Sequence, residues 1–178
     1  MPEIETERLR LRPFAPDDAD DYYQRIFGDP DVTKYLRSRR SITRDDMPAL
    51  LTRLANQWRQ QGFWAVTDKS DGQLIGHCGL KYLDATTEIE LAYALAKSHW
   101  GMGFATEAAR AVLRYGFEEL KLDRIVAVAV PENAASRRVM EKIGLAYEKT
   151  DRFYDADLVY YAISSAQFQP GDDAYRLL

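Results

Sequence analysis

The sequence predicts a single mixed α/β domain in which helices pack on a largely antiparallel sheet. Three observations carry that expectation. Short period-two or β-branched segments recur, and most are joined by turns too brief for a parallel return, which needs a crossover of roughly a dozen residues. One strongly amphipathic helix, residues 105–120, lies between two such segments and closes a β-α-β unit whose outer strands should be parallel with a right-handed crossover. The chain has 178 residues, 46% hydrophobic and 29% charged, a size and balance suited to one compact core, with no repeat, linker or low-complexity tract.

Taken in order, residues 8–13 read RLRLRP: Leu9 and Leu11 alternate with Arg8, Arg10 and Arg12, a strand with one buried face. Pro16 opens a helix, with Asp17 and Asp18 where a helix start favours negative charge and Ala19, Tyr22, Tyr23, Ile26 and Phe27 on one apolar face. Residues 28–31 end it, and 31–42 are irregular and basic, with Lys34, Arg37, Arg39 and Arg40. Thr43 begins a second helix with Asp46 as its capping partner, a stripe of Met47, Leu50, Leu51, Leu54 and Trp58, and Gly62 as the stop. Strands follow at 63–67, 74–83 and 88–95, separated by turns at Asp71-Gly72 and Thr86-Thr87. In the 105–120 helix, Ala108, Ala109, Val112, Leu113 and Phe117 form the core side, and Glu107, Arg110, Arg114 and Glu118 the water side. Residues 123–130 give the next strand, 134–143 a shorter helix capped by Gly144, and 147–153 with 158–164 a final hairpin around residues 154–157. The tail, 167–178, shows no core pattern.

Composition removes several function classes. The formal net charge is −4, which disfavours a general nucleic-acid binder. One cysteine, Cys78, excludes an internal disulfide framework, and with only two histidines no zinc site of the usual type, nor any other metal centre, is expected. No apolar run reaches the roughly 18 residues of a membrane span, and the first residues lack signal-peptide order, so no membrane partner and a cytoplasmic location are expected.

The chemically informative segment is residues 99–106, HWGMGFAT, between a strand and the best helix. Gly101 and Gly103 let the backbone turn sharply and let a ligand approach the main chain. Amides at a helix start have no intrahelical partner and, with the helix dipole, form a receptor for phosphate or pyrophosphate. A ligand-free turn has the same spacing. A Walker A loop needs Gly-Lys-Ser/Thr where Phe104 follows Gly103, and a dinucleotide fingerprint lacks its third glycine at Thr106.

At these residues the chain resembles the GNAT acyl-CoA N-acyltransferases, and within them the Rim-type ribosomal-protein N-acetyltransferase branch. Trp100-Gly101-Met102-Gly103-Phe104-Ala105-Thr106 matches that branch's acetyl-CoA motif, Trp standing where the wider family has Gln or Arg. Residues 133–145, from Asn133 and Ser136 to Glu141-Lys142-Ile143-Gly144-Leu145, match its second motif, and the likeness runs from Thr6 to Ile163. The resemblance implies a six- to seven-stranded, largely antiparallel sheet with a central splayed parallel pair, 88–95 and 125–130, and about four helices. Acetyl-CoA would lie in the splay as cosubstrate, its pantetheine arm on Ala92, Tyr93 and Ala94 and near Asn133, its pyrophosphate on the amides of 101–106.

The implied activity is acetyl transfer to a primary amine, either a protein N-terminus or a small molecule. Glu90 matches the branch's acidic position and would take the amine proton, directly or through water; Glu88 shares its side-chain parity and is the reserve. Ser136 would donate to the departing thiolate or, alternatively, cap the helix. No role falls on Tyr147, Tyr160 or Tyr161 from spacing alone. The acceptor pocket is expected from Tyr35, Trp64 and 153–157, with Phe153 and Asp155 contributing; Asp155 and Asp157 suit a cationic acceptor or simply a turn. His77 and Cys78 read as core, His99 as a residue at the cofactor mouth, and Trp58, Phe63 and Trp64 as packing against the second helix. A silent CoA sensor or an interaction module on the same fold is the alternative, and exposed strand edges permit a homodimer.

Overall fold

The computed structural model describes residues 1–36, 42–56 and 62–178. In chain order its strands are β1 (Ile4–Glu5), β2 (Leu9–Arg12), β3 (Gly62–Asp68), β4 (Leu74–Tyr82), β5 (Ile89–Leu95), β6 (Arg124–Ala129), β7 (Ala146–Phe153), β8 (Ala156–Ser164) and β9 (Arg176–Leu177). They form one sheet in the order β7-β8-β6-β5-β4-β3-β2-β1-β9. Every neighbouring pair is antiparallel except β5 and β6, which are joined by the helical crossover that a parallel return requires. The helices are α1 (Ala19–Tyr22), α2 (Pro30–Thr33), α3 (Met47–Asn56), α4 (Phe104–Glu118) and α5 (Ala134–Lys142).

The sheet is covered on both faces, and side-chain alternation sorts the core. On one face α4 and α5 pack with Leu9, Leu11, Trp64, Val66, Ile75, Cys78 and Leu80. On the other, Tyr22, Ile26 and the α3 residues Met47, Leu50, Leu51 and Leu54 pack on Phe63, Ala65 and Ala94. Phe63, Trp64, Ala65 and Val66 therefore go to alternate sides, as the two-residue strand period demands. A third cluster, Leu83, Val126, Val130, Phe153, Leu158 and Tyr160, fills the hairpin end.

Several expectations change. The sheet has nine strands rather than six or seven, because β1 and β9 extend its edge. The tail at 167–178 does reach the core: Ile4 registers with Leu177, and Phe168 lies 5.0 Å from Phe117 ring to ring. Two-residue strands carry no readable periodicity, which hid both. The helix expected from Pro16 is a 3-10 turn, α1 and a π-helical turn at Tyr23–Phe27, and α2 is additional. The capping pair survives, since the Asp46 carboxylate accepts from the Thr43 N–H and hydroxyl, each at 2.8 Å. Gly62 opens β3 instead of stopping a helix. Arg37, Arg39, Arg40 and Trp58 lie outside the described residues. Among the described residues no helix is long and apolar enough to cross a membrane, and no group of acidic, histidine and cysteine side chains is arranged to hold a metal.

Trp64 is fully buried, its ring edge-on to Tyr115 at 5.1 Å and its indole N–H donating to the Pro2 carbonyl at 2.8 Å. Trp64→Phe should lower stability by about 2 kcal/mol through lost packing and one lost hydrogen bond. Thermal unfolding reads that as a drop of roughly 4–8 °C, while the Michaelis constant for the amine acceptor should not move.

Candidate active site

The parallel pair touches at one point. Glu90 registers with Val126, and beyond it β5 leaves β6, so among the described residues the rest of that β5 edge has no partner strand. A groove of about 530 Å³ opens in this gap, walled by Tyr93, Ala94, Leu95 and Ala129, by Trp100, Gly101, Gly103, Ala105 and Thr106, and by Asn133 and Ser136. On the far side of the splay a second cavity, about 300 Å³, is walled by Tyr22, Phe63, His77, Lys81, Glu90, Ala92, Tyr154 and α3 side chains. The two meet at Tyr35, Leu36, Tyr93, Val128, Ala129 and Ser136.

Local chemistry shapes the groove. Gly101 and Gly103 have φ of 77° and 84°, the left-handed region that side chains with a Cβ avoid. Gly103 is the N-cap of α4 and no side chain caps that helix, so its first amides are left for a ligand. The loop is pinned from β2: the Arg8 guanidinium donates to the Met102 carbonyl at 2.9 Å, pairs with Glu107 at 2.7 Å and lies over the Phe104 ring at 4.4 Å. Glu107 also accepts from the Arg8 N–H and the Thr6 hydroxyl. Trp100 stays half-exposed with its indole N–H on the Leu95 carbonyl at 2.7 Å. Met102 points outward and Phe104 inward, and neither lines the groove.

At α5, Asn133 is the cap: its Oδ1 accepts the Ser136 N–H at 3.1 Å. That leaves the Ser136 hydroxyl free of the capping role considered for it. It sits 3.0 Å from the Tyr93 hydroxyl, at the junction of the two cavities. Burial pushes the Tyr93 phenol well above its ordinary value, so it stays protonated at neutral pH.

Glu90 is buried and lines the second cavity. It is paired with Lys81 at 2.8 Å, its direct cross-strand neighbour on β4, and accepts from the Tyr154 hydroxyl. Burial raises its pKa above the usual carboxylate range, opposed by the Lys81 ammonium and by its hydrogen bonds from Lys81 and Tyr154. Glu88 instead receives the Tyr160 hydroxyl at 2.5 Å, outside both cavities. Tyr161 donates to Glu141 and Tyr147 is exposed. His77 pairs through Nδ1 with the Tyr22 hydroxyl at 2.8 Å; burial, then the nearby Lys81, pushes it down to about 4, so it is neutral. Cys78 is a buried core thiol, and His99 meets Ser98 at 2.9 Å on the groove rim.

The acceptor pocket needs three corrections. Trp64 lies on the opposite sheet face, and Phe63 takes the place expected for it. Phe153 belongs to the hairpin cluster, and Asp155 points to solvent; Tyr154 between them reaches the cavity. In each case the error is a single residue of side-chain parity. Tyr35 lines both cavities as expected. Lys81 was missed altogether, although pairing 74–83 against 88–95 around its turn sets it opposite Glu90.

A family profile described as an acetyltransferase (GNAT) domain matches residues 8–146. The YkkB protein of Bacillus subtilis (strain 168) is 37% identical over 165 residues, covering 88% of this chain and 92% of that one. YdaF of the same organism, a candidate ribosomal N-acetyltransferase, is 37% identical over 106 residues, 56% of this chain and 58% of its own. The crystal structure of a GNAT-family acetyltransferase from Bacillus anthracis superposes with a TM-score of 0.77 at 32% identity, covering 92% and 99% of the two chains. A splayed parallel pair, a glycine loop capping α4 and a profile match over most of the chain agree: this protein belongs to the GNAT acetyltransferase family and is an acetyl-CoA-dependent N-acetyltransferase.

Proposed function

We propose that this enzyme acetylates a primary amine that enters through the Glu90 cavity and meets acetyl-CoA at the cavity junction. The observation that supports this most is the junction itself: Tyr93, Ala129 and Ser136 wall both spaces, with Glu90 on one side and the α4 amides on the other. The groove suits a CoA thioester. Its open β5 edge at Ala92–Ala94 offers hydrogen bonds to an amide-bearing arm, and the amides of 101–106 suit a diphosphate. Bound there, acetyl-CoA supplies an activated acyl group and a thiol leaving group.

The chain's own groups would act as follows. Glu90 takes a proton from the acceptor ammonium, freeing the nitrogen lone pair for attack. Main-chain donors of β5 around Ala92–Ala94 polarise the carbonyl. Ser136, backed by the protonated Tyr93 hydroxyl, donates to the sulfur as it leaves. The acceptor cavity is small, and Leu50, Leu54 and Phe63 are among its walls, which suits an amine on a short apolar stem. A protein N-terminus fits that description, and similarity to YdaF supports this Rim-type reading; a small free amine fits the same walls.

Release of CoA thiol, followed over a panel of small amines and short peptides with several acyl-CoA donors, tests the reading. Turnover with an amine, and a raised unfolding midpoint in saturating acetyl-CoA, are expected. No midpoint shift together with no calorimetric heat would remove it. Glu90→Gln should lower kcat by about 100-fold or more with little effect on acetyl-CoA affinity. In the wild type, kcat/KM should fall as pH drops through a limb above the ordinary glutamate value, and the residual Glu90→Gln rate should lack that limb. Ser136→Ala should lower kcat more than it weakens acetyl-CoA, whereas Asn133→Ala should cost about 1 kcal/mol of stability through the lost cap, read by denaturant unfolding.

A further inference from the structure

Glu90 does not stand alone in its cavity. Tyr154, on the turn between β7 and β8, has φ of 49°, and Asp155 after it has φ of 59°, both in the left-handed region that such residues adopt at a cost of about 1 kcal/mol or more each. The turn is tied to the one between β4 and β5: the Tyr154 N–H donates to Asp84 Oδ2 and the Asp84 N–H donates to the Tyr154 hydroxyl, each at 2.8 Å. The Lys81 ammonium donates to the same hydroxyl and lies over the Tyr154 ring at 4.3 Å. An amide N–H and an ammonium are donors only, so the Tyr154 oxygen spends both lone pairs on them. Its proton is thereby directed to Glu90 Oε2, which also receives Lys81 Nζ at 2.8 Å. Oε2 is thus occupied by two donors, while no group among the described residues donates to Oε1 of this cavity-lining carboxylate.

We propose that Lys81 and Tyr154 are positioning residues for Glu90: they saturate Oε2, hold the carboxylate ionised in one orientation, and leave Oε1 to receive the acceptor's proton. This rests on Glu90 acting as the base. In the step, an N–H bond of the ammonium breaks, an O–H bond forms on Oε1, and the electron pair stays on nitrogen for attack. Among the described residues, the other charged or titratable groups lining this cavity are Tyr22 of α1, Tyr35, Arg53 of α3, neutral His77 of β4 and the Tyr93 phenol of β5, and Asp84 on the β4–β5 turn acts on the Glu90 charge. Among the described residues, Lys81 is the cation in contact with the carboxylate.

The primary test follows the Glu90 side-chain carboxyl by carbon-13 NMR against pH in the ligand-free protein, for wild type, Lys81→Met, Lys81→Arg and Tyr154→Phe. Lys81→Met should raise the titration midpoint by about one pH unit or more, Tyr154→Phe should raise it less, and Lys81→Arg should hold it near the wild-type position. The acidic limb of kcat/KM, measured with acetyl-CoA and the amine that turns over fastest in the panel, should move in parallel. Tyr154→Phe should also lower kcat about tenfold without changing KM for acetyl-CoA. Unmoved carboxyl titrations in both Lys81→Met and Tyr154→Phe overturn the proposal. Wild-type kcat in Glu90→Gln overturns the base assignment instead, and the titrations still report whether Lys81 and Tyr154 hold the carboxylate. A thermal midpoint for each variant separates loss of fold from loss of position.

Discussion

The site depends on a sheet that comes apart at its centre. Because β5 and β6 register only at Glu90 and Val126, the two halves of the sheet diverge from that point and leave a strand edge without its ladder partner. Unpaired backbone groups inside a protein are costly unless something satisfies them. Here they lie along the wall of a groove of about 530 Å³. Everything that converges on the gap is carried by well-packed elements: α4 and α5 on one face, α1 and α3 on the other. The closing edge at β6 is held by its full antiparallel ladder to β8. The splay is therefore bordered by packed elements on both faces, and both cavities lie along it.

A second constraint is electrostatic. The glycine loop must present its amides outward without collapsing, and a left-handed backbone alone does not ensure that. Arg8 does so from another strand, gripping the Met102 carbonyl and Glu107 at once while stacking on Phe104. On the other side of the gap, Glu90 is buried in contact with Lys81 and the Tyr154 hydroxyl, and both oppose the upward push that burial gives its pKa. In both places a charge pair contributes geometry more than stability. Arg8 is substantially exposed, and such a pair is worth little as net free energy. Its value lies in fixing where a loop or a carboxylate points.

Much of this was legible in the chain. The alternation in 8–13, the helix at 105–120 and the short turns between strands defined the architecture, since each is a local pattern of burial. The glycine pair and the helix start suit an anion as well as they suit a ligand-free turn. What escaped was of two kinds. The two-residue strands β1 and β9 are too short to carry a period, so only their mutual pairing reveals them. The residues lining the Glu90 cavity were displaced by one position, Phe63 instead of Trp64 and Tyr154 instead of Phe153 or Asp155, because a strand or a tight turn reverses side-chain direction at every residue.

The sequence by itself determined the order of the longer elements and the glycine turn that opens α4, because each depends on neighbours within a few positions along the chain, while Glu90 and the Asn133 and Ser136 motif stood out through the family resemblance. The tertiary structure alone decided which side of the sheet each aromatic residue faces, that Asn133 rather than Ser136 caps α5, and that Tyr93 backs the serine. It also decided that Glu90 shares its cavity with Lys81 and Tyr154. The Tyr93 and Tyr154 contacts join residues 43 and 64 positions apart across separate elements, which no local pattern encodes.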